Sequence, residues 1–334
     1  MILGRGRAPG KVILFGEHAV VYGRPALAVP VTQTQAEAVV EPGRADGLVI
    51  VAGDLGLEFA LKDAPADQPL AAAARLALDH LSMAEPPAWR VTVRSTIPIA
   101  SGMGSGAAVS AALMRALAAA CGQEIAPERL SALIYEVDRL YHGTPSGIDN
   151  TVIAHEQPVY FQQGKPPLPF RIGRPLELVI AHSGIASPTK ITVGDVRRGW
   201  ERDRGRYEAL FDQIAAVVEA ARRAVSAGEE AVVGPLMDEN HRLLQEIGVS
   251  CPELDALAAA ARAAGARGAK LSGGGRGGNL IALVTAETAS PVAGALTAAG
   301  AHRTIVTRVD GQSAEHSMST DDLSTGATVH LPVS

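Results

Sequence analysis

The segment Pro98-Ile-Ala-Ser-Gly-Met-Gly-Ser-Gly-Ala-Ala-Val109 sets glycines at alternate positions at the mouth of a long run of helix formers. Glycine lets the main chain approach an anion closely. Unpaired N–H groups at a helix start point at that anion with the favourable end of the macrodipole. The preceding Trp89-Arg-Val-Thr-Val-Arg-Ser-Thr96 alternates like a strand, and Ala107 to Ala120 is rich in alanine and leucine, so the glycines lie at a strand-to-helix junction. The segment reads as a phosphate cradle. Its Gly102-Met-Gly104-Ser-Gly-Ala107 also fits the dinucleotide fingerprint, but that pattern needs an acidic residue at the end of the next strand. Here Cys121-Gly-Gln-Glu-Ile-Ala-Pro127 and a second helix follow, so the dinucleotide reading fails on context. Read by itself, the cradle still competes with a flexible loop that binds nothing.

Around this junction the chain runs through strands first and helices afterwards. Lys11 to Phe15 and Ala26 to Val31 are short apolar strands flanking the polar turn Gly16-Glu-His-Ala-Val-Val-Tyr-Gly23, and Ala36 to Val40 continues in that style. Helical spacing takes over at Ala71 to Leu81 and from Ala107 to Tyr141, with Pro127 suited to the first position of a helix. That order predicts α+β layers rather than a strict βαβ repeat. The proline-rich Gly164-Lys-Pro-Pro-Leu-Pro-Phe170 precedes a new apolar strand at Leu176 to Ala181 and is the candidate boundary, giving units of 1–172 and 173–310. Long helices over 191–227 and 229–246, then a run from Glu253 to Ala264 ended by Gly265, follow in the second unit. Residues 311–334, rich in Ser, Thr and Asp, read as a poorly ordered polar tail.

A chain of 334 residues is long enough for two such units. A net charge of -5 and a pI near 6.0 supply no basic field for nucleic acid. No apolar run approaches a membrane span, and the start Met-Ile-Leu-Gly-Arg-Gly-Arg lacks a signal-peptide core, so a soluble cytoplasmic protein is expected. Cys121 and Cys251 are too few for a disulfide framework, which agrees with a reducing compartment.

Three further segments gather groups able to do chemistry. In Ala8-Pro-Gly-Lys-Val-Ile-Leu-Phe-Gly-Glu-His18, Lys11 follows a glycine, but the spacing back to Gly4 or Gly6 is wrong for a Walker A loop and Val12 replaces its Ser or Thr. Lys11, Glu17 and His18 can converge on one small polar ligand, or form an ordinary solvated turn. In Asp138-Arg-Leu-Tyr-His-Gly-Thr-Pro-Ser-Gly-Ile-Asp-Asn150, Asp138 lies beside the helix stripe Leu130, Ile134, Val137 and Tyr141. Gly143, Pro145 and Gly147 then force a tight turn that presents Asp149 on a fixed backbone, as a catalytic carboxylate requires. Taken alone, Asp149 capping the next element is the simpler reading. Between Ala269 and Val284, five glycines in six positions precede an apolar strand, marking a second phosphate- or substrate-facing loop or else a mobile hairpin. The arginines of 197–206 alternate with Glu201 and Asp203 and read as a solvated helix face.

In this order the segments resemble the three motifs of the GHMP kinase superfamily, and within it the mevalonate kinase family. Gly16-Glu-His-Ala-Val-Val-Tyr-Gly23 is the most specific, and His142-Gly-Thr-Pro-Ser-Gly-Ile-Asp-Asn150 and Lys270-Leu-Ser-Gly-Gly-Gly275 point the same way. Ser187 to Val196 and Asn240 to Asp255 also look like that family, so the resemblance covers roughly residues 5–310. It implies a two-domain α+β fold with a mixed sheet and helices in the N-terminal domain, a ferredoxin-like C-terminal domain and the active site in the cleft between them. The implied activity is ATP-dependent phosphorylation of the 5-hydroxyl of mevalonate, in the mevalonate pathway of isoprenoid biosynthesis.

Carried over by position, Asp149 is the implied catalytic carboxylate, accepting the hydroxyl proton or orienting the alcohol. Lys11 is the implied cation that lowers the hydroxyl pKa and offsets charge on the transferring phosphoryl group. The resemblance implies Lys11, Glu17, His18, Asp149, Thr189 and Gly274 around mevalonate. It implies Pro98, Ala100, Ser101, Gly102, Met103, Gly104, Ser105, Gly106, Ala107 and Ala108 around ATP, and Ser105 and Asp138 as magnesium ligands. Two positions depart from the family pattern. Its second cradle serine is Gly106 here, and its acidic magnesium ligand, usually Glu, is Asp138, one methylene shorter and expected to act through a water. Arg276 is an additional charge expected near a phosphate, and relatives imply a homodimer. The competing readings are phosphomevalonate kinase, galactokinase or homoserine kinase, against which the first motif and the 142–150 turn stand. A non-catalytic ATP-binding homologue is the remaining alternative, suggested by Gly106 and opposed by Lys11, Asp138 and Asp149.

Overall fold

Small and β-branched residues build a first hairpin much longer than its apolar centres indicate. In the computed structural model, which describes residues 1–44, 47–98, 101–142, 145–187 and 189–310 (141 and 142 in backbone only), β1 spans Gly4–Phe15 and β2 spans Ala26–Pro42. Ala100 and the tail 311–334 lie outside the described residues. The strands pair antiparallel from Gly4 opposite Val40 to Phe15 opposite Leu27, with irregularities after Pro9 and after Ile13. The sequence reading began β1 only at Lys11 because Gly4, Arg5, Gly6 and Arg7 show no apolar alternation. Buried glycines alternate with exposed arginines there instead.

Those glycines have a packing reason. The helix α2 (Ser105–Ala120) lies on β1 at backbone distance, so that a Cβ on Gly4 would run into the Ala116 carbonyl and one on Gly6 into the Ala112 carbonyl. The alanines of α2 that face the sheet are buried, which lets the two backbones approach. Gly6→Ala is therefore expected to destabilise the fold by about 1–3 kcal/mol through overpacking. Thermal unfolding beside Gly205→Ala, where nothing lies within 4 Å of the added carbon, checks this; equal melting temperatures for the two variants would refute the close-packing account.

The remaining elements of the first half are β3 (Leu48–Ala52), β4 (Leu57–Ala60), α1 (Pro69–His80), β5 (Trp89–Ser95), α3 (Pro127–His142), α4 (Ile148–His155), β6 (Val159–Phe161) and β7 (Leu168–Pro169). The strands join in the order β4-β3-β5-β2-β6-β7, with β1 on the other edge of β2, and β3 and β5 pair in parallel. The proline-rich stretch before Phe170 contributes β7, which pairs with β6, so the chain leaves this sheet only after it.

The second half holds β8 (Leu176–His182), α5 (Thr189–Arg202), α6 (Arg204–Ala227), α7 (Glu230–Ile247), α8 (Pro252–Ala263), β9 (Gly268–Ser272), β10 (Asn279–Val284), α9 (Ala286–Ala298) and β11 (Arg303–Val309). Its antiparallel sheet runs β11-β8-β10-β9, the strand order of a ferredoxin-like unit, as expected. The single helix read over 191–227 is in fact two. Asp203 has left helical geometry (φ -139°), and its side chain accepts a hydrogen bond from the Arg206 N–H at 3.2 Å, starting α6 afresh. Two layers of helix and sheet thus meet along β1, whose outer edge carries the site.

Candidate active site

Lys11 is placed by the outer edge of β1. Its backbone N–H donates to the Met103 carbonyl at 3.0 Å, and the N–H and carbonyl of Ile13, two residues on, bond the Ser272 hydroxyl at 3.1 and 3.0 Å. One strand therefore aligns the cradle and the third glycine loop. The Lys11 side chain is only 3 % exposed and reaches Asp149 Oδ1 at 2.8 Å, while the Asp149 side chain is 36 % exposed. The partner is therefore open to a ligand although the ammonium is not. Asp149 lies in the first turn of α4, after Gly147 in left-handed geometry (φ 88°), so the positive end of that helix also favours its charge. Burial pushes the carboxyl of Asp138 up to about 7, the charge of Asp149 adds to the rise, and Lys11 opposes it. Two carboxyl groups thus crowd around one lysine.

The cradle faces this pair. Gly104 caps α2 in left-handed geometry (φ 70°), and a Cβ there would sit 2.8 Å from Ile153 Cδ1 and 3.2 Å from Lys11 Cγ. Glycine is required on both counts. Helix geometry leaves the N–H groups of Ser105, Gly106 and Ala107 without intrahelical partners, the first bond running from Ala108 to the Gly104 carbonyl at 2.9 Å. Gly106 is exposed, with nothing within 4 Å of an added Cβ. Four other expected members of the cradle are turned inward. Met103, Ala107 and Ala108 are buried, and the Ser101 hydroxyl donates to the Pro98 carbonyl at 2.8 Å. Across from it lies the third glycine loop, with Gly102 and Gly273 separated by only 3.8 Å from an added Cβ on Gly273 to the Gly102 Cα.

The turn after β1 completes the wall. His18, a non-glycine residue at φ 59°, uses Nε2–H to donate to the Gly274 carbonyl at 3.0 Å, and burial pushes its pKa down to about 4, so the ring is neutral at neutral pH. Thr189 is exposed at the start of α5 and, with Ser187, crowds Gly274 so closely that a side chain there would collide with both hydroxyls. Glu17 is brought to the same turn, fully buried and paired with Lys270.

The GHMP kinase N-terminal domain model matches residues 68–156, and the GHMP kinase C-terminal model matches residues 217–302. Mevalonate kinase of Thermococcus gammatolerans is 36 % identical over 314 residues, covering 88 % of this chain and 92 % of that one. The chain belongs to the mevalonate kinase family of GHMP kinases. A second family member, from Thermococcus sibiricus, is 34 % identical over 323 residues, covering 90 % of this chain and 95 % of its own. Among solved members, L. major mevalonate kinase in complex with R-mevalonate superposes with a TM-score of 0.81 at 29 % identity, covering 93 % of this chain and 97 % of that one. GHMP kinases of this family are ATP-dependent, and the chain is accordingly a kinase.

Arg276, the additional charge of the third glycine loop, is engaged within the chain. It pairs with Asp195 and donates to the Gly248 carbonyl at 3.2 and 3.1 Å, pinning the third glycine loop to α5 and the end of α7. A left-handed backbone (φ 53°) turns it that way. The sequence reading also missed Ser272 and Asn240, which bond main-chain groups of β1 and the following turn from 259 and 224 residues away. No local pattern signals such partners. Among the described residues no helix is long and apolar enough to cross a membrane.

Proposed function

We propose that this chain transfers the terminal phosphoryl group of ATP to the 5-hydroxyl of mevalonate, with its domain boundary at 172/173. The observation that carries the reading is the 2.8 Å contact of buried Lys11 with half-open Asp149, beside the free N–H groups at the start of α2. In this reading the α2 N-terminus and the glycines of the cradle bind the phosphates. Asp149 Oδ2 and Oδ1 receive or orient the substrate hydroxyl, and Lys11 Nζ offsets the negative charge that develops as the phosphoryl group moves. His18, as a neutral ring, and Thr189 line the mevalonate end. The buried strand packing behind Lys11 keeps water from that side of the reacting groups.

The residues suit magnesium. The Ser105 hydroxyl and the Asp138 carboxylate are hard oxygen donors, and Asp138, raised to about 7 by burial and then by Asp149, gains from a further cation. Magnesium, when bound, supplies neutralisation of phosphate charge. Among the described residues no group of three or more His, Cys, Asp and Glu could hold a metal by protein ligands alone, so a site shared with ATP fits better.

ADP release measured with ATP, magnesium and each of mevalonate, phosphomevalonate, galactose and homoserine tests the reading. Turnover confined to mevalonate is expected. Turnover confined to another of these alcohols or phosphates would reassign the substrate, and ATP binding with no turnover would favour the non-catalytic homologue.

A further inference from the structure

Three consecutive residues of the turn after β1 are each held from the second half of the chain. The Gly16 N–H donates to Asn240 Oδ1 at 3.2 Å, Glu17 Oε1 pairs with Lys270 Nζ, and His18 Nε2–H donates to the Gly274 carbonyl at 3.0 Å. The Glu17 and Lys270 side chains are 1 % and 0 % exposed, and Lys270 engages Glu17 through Oε1 alone, Oε2 being buried with no hydrogen-bond partner among the described residues. Lys270 also donates to the Leu271 carbonyl at 2.6 Å, and the Leu271 N–H is fixed by His241 Nδ1 at 3.2 Å. Burial pushes Glu17 up and Lys270 down, each opposed by the charge of the other.

A buried pair of this kind gains little stability over neutral groups of the same shape. Its effect is better sought in geometry. The residue next to Glu17 is His18, held at φ 59°, a conformation that a side chain adopts only when its surroundings over-determine it. We infer that Glu17 and Lys270 are positioning residues, a buried clamp that keeps His18 in its strained conformation and its imidazole fixed against the third glycine loop, at the mevalonate end of the site. This assigns Glu17 a role behind the site instead of the substrate contact expected from sequence, and its kinetic arm rests on the mevalonate kinase reading.

The test uses Glu17→Gln, Lys270→Met and the double variant. Each single change strands one buried charge and lowers the melting temperature; the double removes both and restores most of it. With folding restored, the double variant is expected to keep the mevalonate KM raised by about tenfold while the ATP KM stays within about twofold of wild type. Glu17→Asp, which keeps the charge but withdraws one methylene, is expected to fall between and guards against a double variant that does not fold. The 15N spectrum of His18, assigned by His18→Asn, gives a readout that needs no turnover. The bond to a carbonyl demands the Nε2–H tautomer in wild type, and a mixture is expected once the clamp is gone. A folded double variant with wild-type mevalonate KM and a wild-type His18 tautomer would overturn the clamp. Wild-type protein inactive on mevalonate would strike the functional reading instead, and the His18 spectrum would then decide the clamp by itself.

Discussion

Asp149→Asn is expected to lower kcat by roughly 10²–10⁴-fold, the range for losing a positioned proton acceptor. Asparagine keeps the shape of the side chain on α4 and its place in the turn that Gly147 allows, but it neither takes a proton nor carries the charge that meets Lys11 Nζ. Because the change leaves the buried Lys11 ammonium without its carboxylate partner, the melting temperature is expected to fall as well, and kcat is read at a temperature where the variant is folded. Steady-state kinetics with ATP and mevalonate at saturating magnesium provides the measurement. A variant retaining near-normal kcat would remove Asp149 from the chemistry and leave it as the first-turn helix residue that a bare sequence reading favours.

Lys11→Met is expected to cost roughly 10²–10³-fold in kcat, comparable to deleting one preorganised electrostatic donor. Methionine matches the stem of the lysine, so the wall made by Gly104 and Ile153 stays filled. What disappears is the cation between two carboxyl groups. Asp138, already pushed up to about 7, loses its one opposing charge and moves further toward the neutral acid, which weakens it as an oxygen donor to a metal. The magnesium requirement should therefore rise together with the fall in kcat, and titrating magnesium at fixed ATP shows whether it does. Lys11→Arg should fare almost as badly, because an Arg fork does not fit a sheath in which Gly104 already approaches the Lys11 stem. An arginine variant with wild-type turnover would mean that charge alone suffices at this position.

The parts of this molecule legible in its sequence are those written in adjacent residues. Glycines at 102, 104, 273 to 275, 277 and 278 announce close backbone approach, and the structure brings the two loops face to face. The helix starting at Pro127 and the run of apolar residues in β8 are also local signals. Long-range partners are not. Nothing near Glu17 indicates that its carboxylate meets Lys270 rather than a ligand, since the pair is 253 residues apart and depends on how two sheets meet. The break at Asp203 is hidden for a different reason. Helical composition continues on both sides of it, and only the side-chain bond to Arg206 reveals the new start. Arg276 shows the same limit, because a charge inside a glycine loop suggests a phosphate until Asp195 is seen to occupy it.

The outer edge of β1 around Lys11 and Ile13 bonds the Met103 carbonyl and the Ser272 hydroxyl. A bare sheet edge is an invitation to strand addition, whether by a second copy or by an unfolded neighbour. Here that stretch is closed within the chain itself, by the same contacts that align the cradle with the third glycine loop. Two copies of the protein that associate must therefore leave this length of β1 alone and meet on some other face. Any peptide able to displace Ser272 and join the edge would act as an inhibitor by dismantling the site, without resembling either substrate.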